Sequence, residues 1–315
     1  MGTLLKILGF LFLVVILVTV SCGVGVAIGA AMGGDDGFSF GRPAVGVVYV
    51  EGQIVGGRSS GLFDAVGAYS DSVIADLRRA ERDPSVKAIV LRVDSPGGGV
   101  TASDEIRNEL IKLTKKKPVV ASFGALAASG GYYISAPTNK IVSNETTLTG
   151  SIGVITVIPN VQGLMEKLGV EVSVLTSGPH KDETTGLRPL TDADREILQS
   201  IVNESYERFV TVVSEGRKMS KDDVRRMADG RIYTGRQALD LKLVDEIGDL
   251  PEAIQAAAQL SGIRGAPRVV RYRRGGGLFG GAVGMVEERL GLPSLPLPVG
   301  GASQPFSIQY LFVGP

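Results

Sequence analysis

From Pro118 to Val154 the chain carries a strand-like run that empties into a turn stripped of bulky side chains. Few folds accept such a stretch. Val119, Val120 and Phe123 have the apolar density of a buried strand, Ala127-Ala128-Ser129-Gly130-Gly131 then holds nothing larger than a hydroxymethyl group, and Tyr132-Tyr133-Ile134 opens a helix. A serine placed there is held by the strand behind it and can be approached closely by another backbone. It also faces the unpaired N–H groups and positive dipole of a helix N-terminus, the setting a nucleophile in acyl transfer needs. Ser129 as a plain N-cap is the competing reading, and this turn alone leaves both open.

The segments around it alternate as in an α/β protein. Val45–Val50 reads as a buried strand, Gly56–Gly61 as a glycine-serine loop, and Asp71–Arg82 as a helix with Val73, Ile74, Leu77 and Ala80 on one side. Val86–Val93 is a second strand, Asp94–Val100 a loop, and Thr101–Lys115 a helix. Further strands at Val119, Ile141 and Val170–Leu175 predict a largely parallel sheet with right-handed crossovers and helices on its faces. Asp192–Lys218 then reads as a long helix whose apolar set is Ile197, Ile201, Phe209, Val212 and Val213, followed by a helix capped by Ser220, a short one at Gly235–Leu241, and one at Leu250–Leu260. Val269–Arg274 closes the domain as a strand with a basic end.

Composition removes several function classes. Lys+Arg and Asp+Glu are 33 each, so no excess of charge points to nucleic acid. One histidine and one cysteine, Cys22, leave no ordinary zinc site and no intramolecular disulfide. Ile7–Met32 lacks any charged residue, long enough for a transmembrane helix, and Lys6 with no further basic residue before Arg42 predicts a cytoplasmic N-terminus and a body outside the cytoplasm. Val20-Ser21-Cys22 partly resembles a lipobox, but the apolar run continues beyond the cysteine, which favours the anchor over a cleaved or lipidated signal. The resulting division is residues 1–6 cytoplasmic, 7–32 anchor, 33–42 linker, 43–274 the folded domain and 275–315 a Gly/Pro-rich tail.

The glycines Gly97-Gly98-Gly99 are contiguous and no Gly-Lys-Ser/Thr follows, so they form neither a dinucleotide fingerprint nor a phosphate loop. They serve either as a tight turn or as a run of backbone N–H groups aimed at an oxyanion. Two candidates could activate Ser129, and both sit in Thr176-Ser177-Gly178-Pro179-His180-Lys181-Asp182. His180 would need a carboxylate such as Asp182 to orient it, whereas Lys181 would need desolvation to work as a neutral amine. Spacing alone does not choose between them.

In order along the chain, Asp94-Ser95-Pro96-Gly97-Gly98-Gly99, Ala127-Ala128-Ser129-Gly130-Gly131-Tyr132-Tyr133, Thr149-Gly150-Ser151-Ile152-Gly153-Val154, Ser177-Gly178-Pro179-His180-Lys181-Asp182 and Arg231-Ile232-Tyr233-Thr234-Gly235-Arg236-Gln237-Ala238 resemble the bacterial signal peptide peptidase A family. The resemblance runs from about Ala44 to Ile263. It implies an α/β fold of the Clp-protease/crotonase type, built of repeated β-β-α units after one N-terminal transmembrane helix, in the family's short form. It also implies Ser129 as nucleophile, Lys181 as general base, Ser151 orienting the lysine, and His180 as a bystander. Gly97, Gly98 and Gly130 are then the expected oxyanion donors, with Val100, Ile152 and Val154 lining the substrate site.

On this reading the protein is a membrane-bound serine endopeptidase needing neither metal nor cofactor. It acts on hydrophobic peptides such as remnant signal peptides or membrane-protein fragments, close to lipid and as a homo-oligomer. A crotonase-like acyl-CoA enzyme and a non-catalytic membrane scaffold are the rival classes. The apolar run Phe306–Val313 is too short to span a bilayer and too β-prone to stay exposed, so it is expected to be covered. A domain edge or a groove for extended peptides would serve.

Overall fold

The computed structural model describes residues 42–58, 67–272 and 309–311. The expected anchor at 7–32, Cys22, most of the linker and the tail apart from 309–311 lie outside them. Among the described residues, no helix is long and apolar enough to cross a membrane.

The chain opens with β1 (Ala44–Glu51), β2 (Gln53–Val55) and β3 (Gly67–Tyr69), then α1 (Ser70–Arg82). A β-β-α unit follows as β4 (Val86–Ser95), β5 (Gly97–Gly99) and α2 (Val100–Thr114). Next come β6 (Val119–Ala128), α3 (Gly130–Ser135), β7 (Lys140–Ser143), β8 (Leu148–Gly150) and α4 (Gln162–Lys167). The remainder is α5 (Asp192–Arg217), α6 (Lys221–Met227), β9 (Ile232–Thr234), α7 (Gly235–Asp240), β10 (Glu246–Ile247), α8 (Leu250–Leu260), β11 (Arg268–Tyr272) and β12 (Gln309–Leu311).

The main sheet runs β10-β7-β6-β4-β1-β11, and every pairing along that path is parallel. A parallel sheet must be covered on both faces, and the alternation of side chains shows how the cover is divided. Val48, Val50, Ile89, Leu91, Ala121 and Phe123 pack with residues of α1, α2, α3 and α5, whereas Val45, Val47, Val90 and Val120 meet Ala253, Ala256 and Ala257 of α8. The small alanine face lets α8 approach the strands closely. A second sheet runs β12-β5-β2-β3, and its β5 follows β4 of the first after one residue.

Three expectations change. Gly97–Gly99, read as a loop, is a strand paired to β2 on one side and β12 on the other. Val170–Leu175, read as a strand, has no ladder partner among the described residues, and Val170, Val172 and Val174 stay 44%, 47% and 43% exposed. The apolar set of α5 also divides: Phe209, Val212 and Val213 are buried, but Ile197 and Ile201 face outward.

Candidate active site

Strand β6 ends at Ala128 directly beside the end of β8, with Ala128 opposite Gly150. The next residues, Ser129 and Ser151, therefore leave adjacent strand ends, and both take left-handed backbone angles, φ 51° and 47°. For residues with a Cβ such geometry costs about 1–3 kcal/mol, and the surrounding hydrogen bonds hold it in place. The Ser129 N–H donates to the Gly150 carbonyl at 2.8 Å, its own carbonyl accepts from Tyr133 N–H at 2.8 Å, and Ser151 N–H donates to Arg231 at 2.8 Å.

Ser129 does stand at the N-cap of α3, but its side chain makes no capping bond. Its Oγ is buried without any hydrogen-bond partner, which is the opposite of what an N-cap serine is for. The hydroxyl therefore makes no structural hydrogen bond.

Beside it, the chain passes at a distance only glycine permits. A Cβ on Gly130 would stand 3.1 Å from the Gly98 nitrogen and 2.8 Å from Ser103 Oγ. The Gly130 N–H, first in α3, has no helical carbonyl to bond. Gly97 is different. Its N–H donates to Ser95 Oγ at 3.1 Å, and that hydroxyl in turn donates to the Gly52 carbonyl at 2.6 Å. The Gly97 N–H, one of the expected donors, is thus bonded within the chain, and Ser95 is the side chain that ties the glycine strand to Gly52. The sequence displayed Ser95 within its motif but offered no sign of its partners.

The groove is filled. Gln309–Leu311 lies antiparallel on Gly97–Gly99, and on its other edge Gln309 exchanges both backbone bonds with Ile155, each 3.1 Å. A Cβ on Gly97 would meet the Tyr310 carbonyl oxygen at 2.1 Å and the Gly130 nitrogen at 2.5 Å, so that carbonyl and that amide flank one point. Of the expected lining residues, Val100 and Val154 are half-buried against the core and Ile152 is fully buried.

Neither candidate base hydrogen-bonds the Ser129 hydroxyl. His180 Nδ1 lies 2.9 Å from Asp194 Oδ1, while Asp182, the expected partner, is bonded by the Arg188 guanidinium at 2.8 and 3.0 Å. Lys181 is exposed on this loop and makes no hydrogen bond to Ser129 within the chain. His180, Glu183 and Asp194 bring donor atoms within 4.8 Å of one another, with Arg188 already bonded to Asp194 at 2.6 Å.

Asp194 ties the loop to α5. It accepts from Arg188, His180 and the Thr191 N–H, and these contacts, the guanidinium foremost, hold its carboxyl well below the usual carboxylate range. The stability it supplies is therefore complete above the ordinary aspartate value of about 4 and is lost as pH falls toward the depressed one. Asp194→Asn is expected to speed amide exchange across 178–191 at pH 7 and to flatten the melting temperature's fall between pH 5 and 3. An unchanged exchange pattern would contradict the tether.

A buried, unbonded serine at a strand-to-helix turn, beside glycine-lined backbone donors and an inserted peptide strand, defines a serine-type peptidase of the Clp-protease class. Family comparisons agree: residues 64–146 match the Clp protease family and residues 111–264 match peptidase family S49. The chain belongs to family S49, the signal peptide peptidase A family. A putative protease of Methanocaldococcus jannaschii is 36% identical over 274 residues, 86% of this chain and 88% of its own. A putative signal peptide peptidase SppA of Enterococcus faecium is 41% identical over 208 residues, 66% of this chain and 60% of its own. Protease 4 of Haemophilus influenzae is 41% identical over 217 residues, covering 69% of this chain but only 34% of that protein, so the chain spans about a third of its length.

Proposed function

We propose that this protein is a membrane-anchored serine endopeptidase that cleaves extended hydrophobic peptides, remnant signal peptides among them, with its catalytic domain outside the cytoplasm. The observation that carries the reading is Gln309–Leu311, a peptide strand paired on one edge to Gly97–Gly99 and bonded on the other to Ile155, beside the turn that carries Ser129. Ser129 Oγ attacks the substrate carbonyl, its proton passes to the Lys181 amine, and the oxyanion is met by Gly130 and Gly98 N–H groups, each worth about 10²–10³ in rate. The lysine returns the proton to the leaving amine. Water, deprotonated by the same amine, then clears the acyl-enzyme, and Ser151 beside Ser129 orients the lysine.

Within a single chain Lys181 is exposed and makes no hydrogen bond to Ser129, whereas a general base must reach the serine proton. A homo-oligomer resolves this. The segment carrying Lys181 also exposes Leu164, Leu168, Val170, Val172, Val174 and Leu175, the last at 97%, an apolar surface that calls for a partner. A neighbouring copy would cover that surface and bring Lys181 of one copy to Ser129 of the next.

The tail strand is then a substrate-like occupant of the groove, an inhibitor or a processing site. Deleting residues 303–315 is expected to raise the initial rate on short peptides several-fold, measured with a fluorogenic peptide at fixed enzyme concentration. An unchanged rate and apparent affinity would reduce the strand to a structural edge.

A further inference from the structure

Because every pairing along β10-β7-β6-β4-β1-β11 is parallel, these strands all begin on one edge of the sheet and end on the other. The two edges carry opposite charge. Where the strands end, β1 and β4 finish near Glu51 and Asp94, side by side in register, and Ser129 follows the end of β6. Where they begin, Arg42 precedes β1, Arg82 and Lys87 flank the start of β4, Lys115 stands before β6 and Arg264 before β11, all five exposed. These four strands are neighbours, so the five cations lie along one continuous edge.

The carboxylates of the same edge are already engaged. Glu81 is paired with Lys116 and Glu246 with Lys140, while Asp83 accepts from Ser85 and Tyr272 and feels the charge of Arg268. Basic residues at the ends of α1 and α2 have an ordinary role at a helix C-terminus, and Lys117 fulfils it, donating to the Ala80 and Asp83 carbonyls at 2.9 and 2.8 Å. That role does not cover Arg42 or Lys87, which belong to no helix. An exposed edge of one sign fits a surface of the other.

The path of the chain says which surface. It enters the basic edge at Pro43, and only residues 33–42 separate this point from the charge-free run Ile7–Met32. Fully extended, that linker reaches about 35 Å at most. The edge on which the strands begin is thus the folded domain's point of attachment.

We propose that this edge rests on an anionic phospholipid surface, with Arg42, Arg82, Lys87, Lys115 and Arg264 meeting phosphate groups; this step rests on the anchored reading of the chain. Each lysine or arginine held beside such headgroups adds to the attraction, which salt screens. The turn carrying Ser129, at the far ends of the same strands, then faces away from the bilayer, and Glu51 and Asp94 are kept clear of phosphate.

The test reads accessibility rather than cleavage. Full-length protein is reconstituted into phosphatidylcholine vesicles with or without about 30% phosphatidylglycerol. Acetylation of its amines by a water-soluble ester is followed residue by residue with mass spectrometry. Lys87 and Lys115 should react at least about threefold more slowly on the anionic vesicles, and the protection should vanish in about 0.5 M salt, where screening acts within ~4 Å. Lys167 of α4, exposed and beyond the opposite ends of the strands, should react alike on both. Equal rates at Lys87 and Lys115 on the two vesicles overturn the proposal, and so does equal slowing at Lys167, the mark of general crowding. With Arg82→Gln and Arg264→Gln together, protection at Lys115 should shrink; undiminished protection would also overturn the assignment of this edge. Protein that floats only with the anionic vesicles, its two lysines protected, would sink the anchor and leave the lipid surface standing. Failure to cleave peptides would bear on the peptidase reading alone, since no arm of this test depends on cleavage.

Discussion

Ser129→Ala is expected to bring peptide cleavage down by at least about a thousandfold while the protein melts no lower than the wild type. The first half follows from chemistry: no other hydroxyl leaves β6 at the mouth of the glycine groove. The second follows from the hydroxyl having no hydrogen-bond partner, so alanine forfeits no bond and relieves an unpaired buried oxygen, a gain of up to about 1 kcal/mol. Alanine keeps the positive φ, so the strain stays. Activity and a thermal melt on the same preparation check both halves. Retention of more than a trace of activity in folded protein would remove Ser129 from the nucleophile's role, and a large fall in melting temperature would mean its hydroxyl is structural.

Lys181→Ala is expected to be equally silent, and the two silent variants should rescue each other. In a closed oligomer where each Ser129 is served by a neighbour's Lys181, random mixing of equal amounts leaves about a quarter of the sites with both groups intact. Mixing after reversible dissociation should thus recover roughly that fraction of wild-type activity. A mixture as dead as its components would place both residues of the dyad in one chain. His180→Ala supplies the contrast: its imidazole is engaged by Asp194 and makes no hydrogen bond to Ser129, so cleavage should persist. Loss on His180→Ala with survival on Lys181→Ala would establish a histidine mechanism.

Much of this was readable before any coordinates because it depends on neighbours in the chain. Thr191 and Asp194 complete a capping box at the start of α5, Ser220 caps α6, and Pro251 sits in the first turn of α8, so these helices begin where expected. The apolar strands β1, β4 and β6 announce a sheet buried on both faces, and Ala127–Gly131 announces a place where backbone comes close. Small side chains and a serine at a strand end are local facts.

Only the tertiary structure could decide the rest, because strand pairing, hydrogen-bond partners and pockets are relations between distant segments. Gly97–Gly99 lacks any side-chain pattern of a strand and is one because β2 and β12 bond to it, whereas Val170–Leu175 has the pattern but no ladder partner among the described residues. His180 pairs with Asp194, fourteen residues on, rather than with Asp182 two residues away, while Arg188 bonds both carboxylates. The Gly97 N–H is bonded to Ser95, and Tyr310 packs on Tyr133 of α3 and Phe209 of α5, which are far apart in sequence. Local chain chemistry thus determined where elements begin and which residue could be a nucleophile, while the folded packing determined which polar groups remain free to act, since a donor already bonded elsewhere cannot serve an oxyanion.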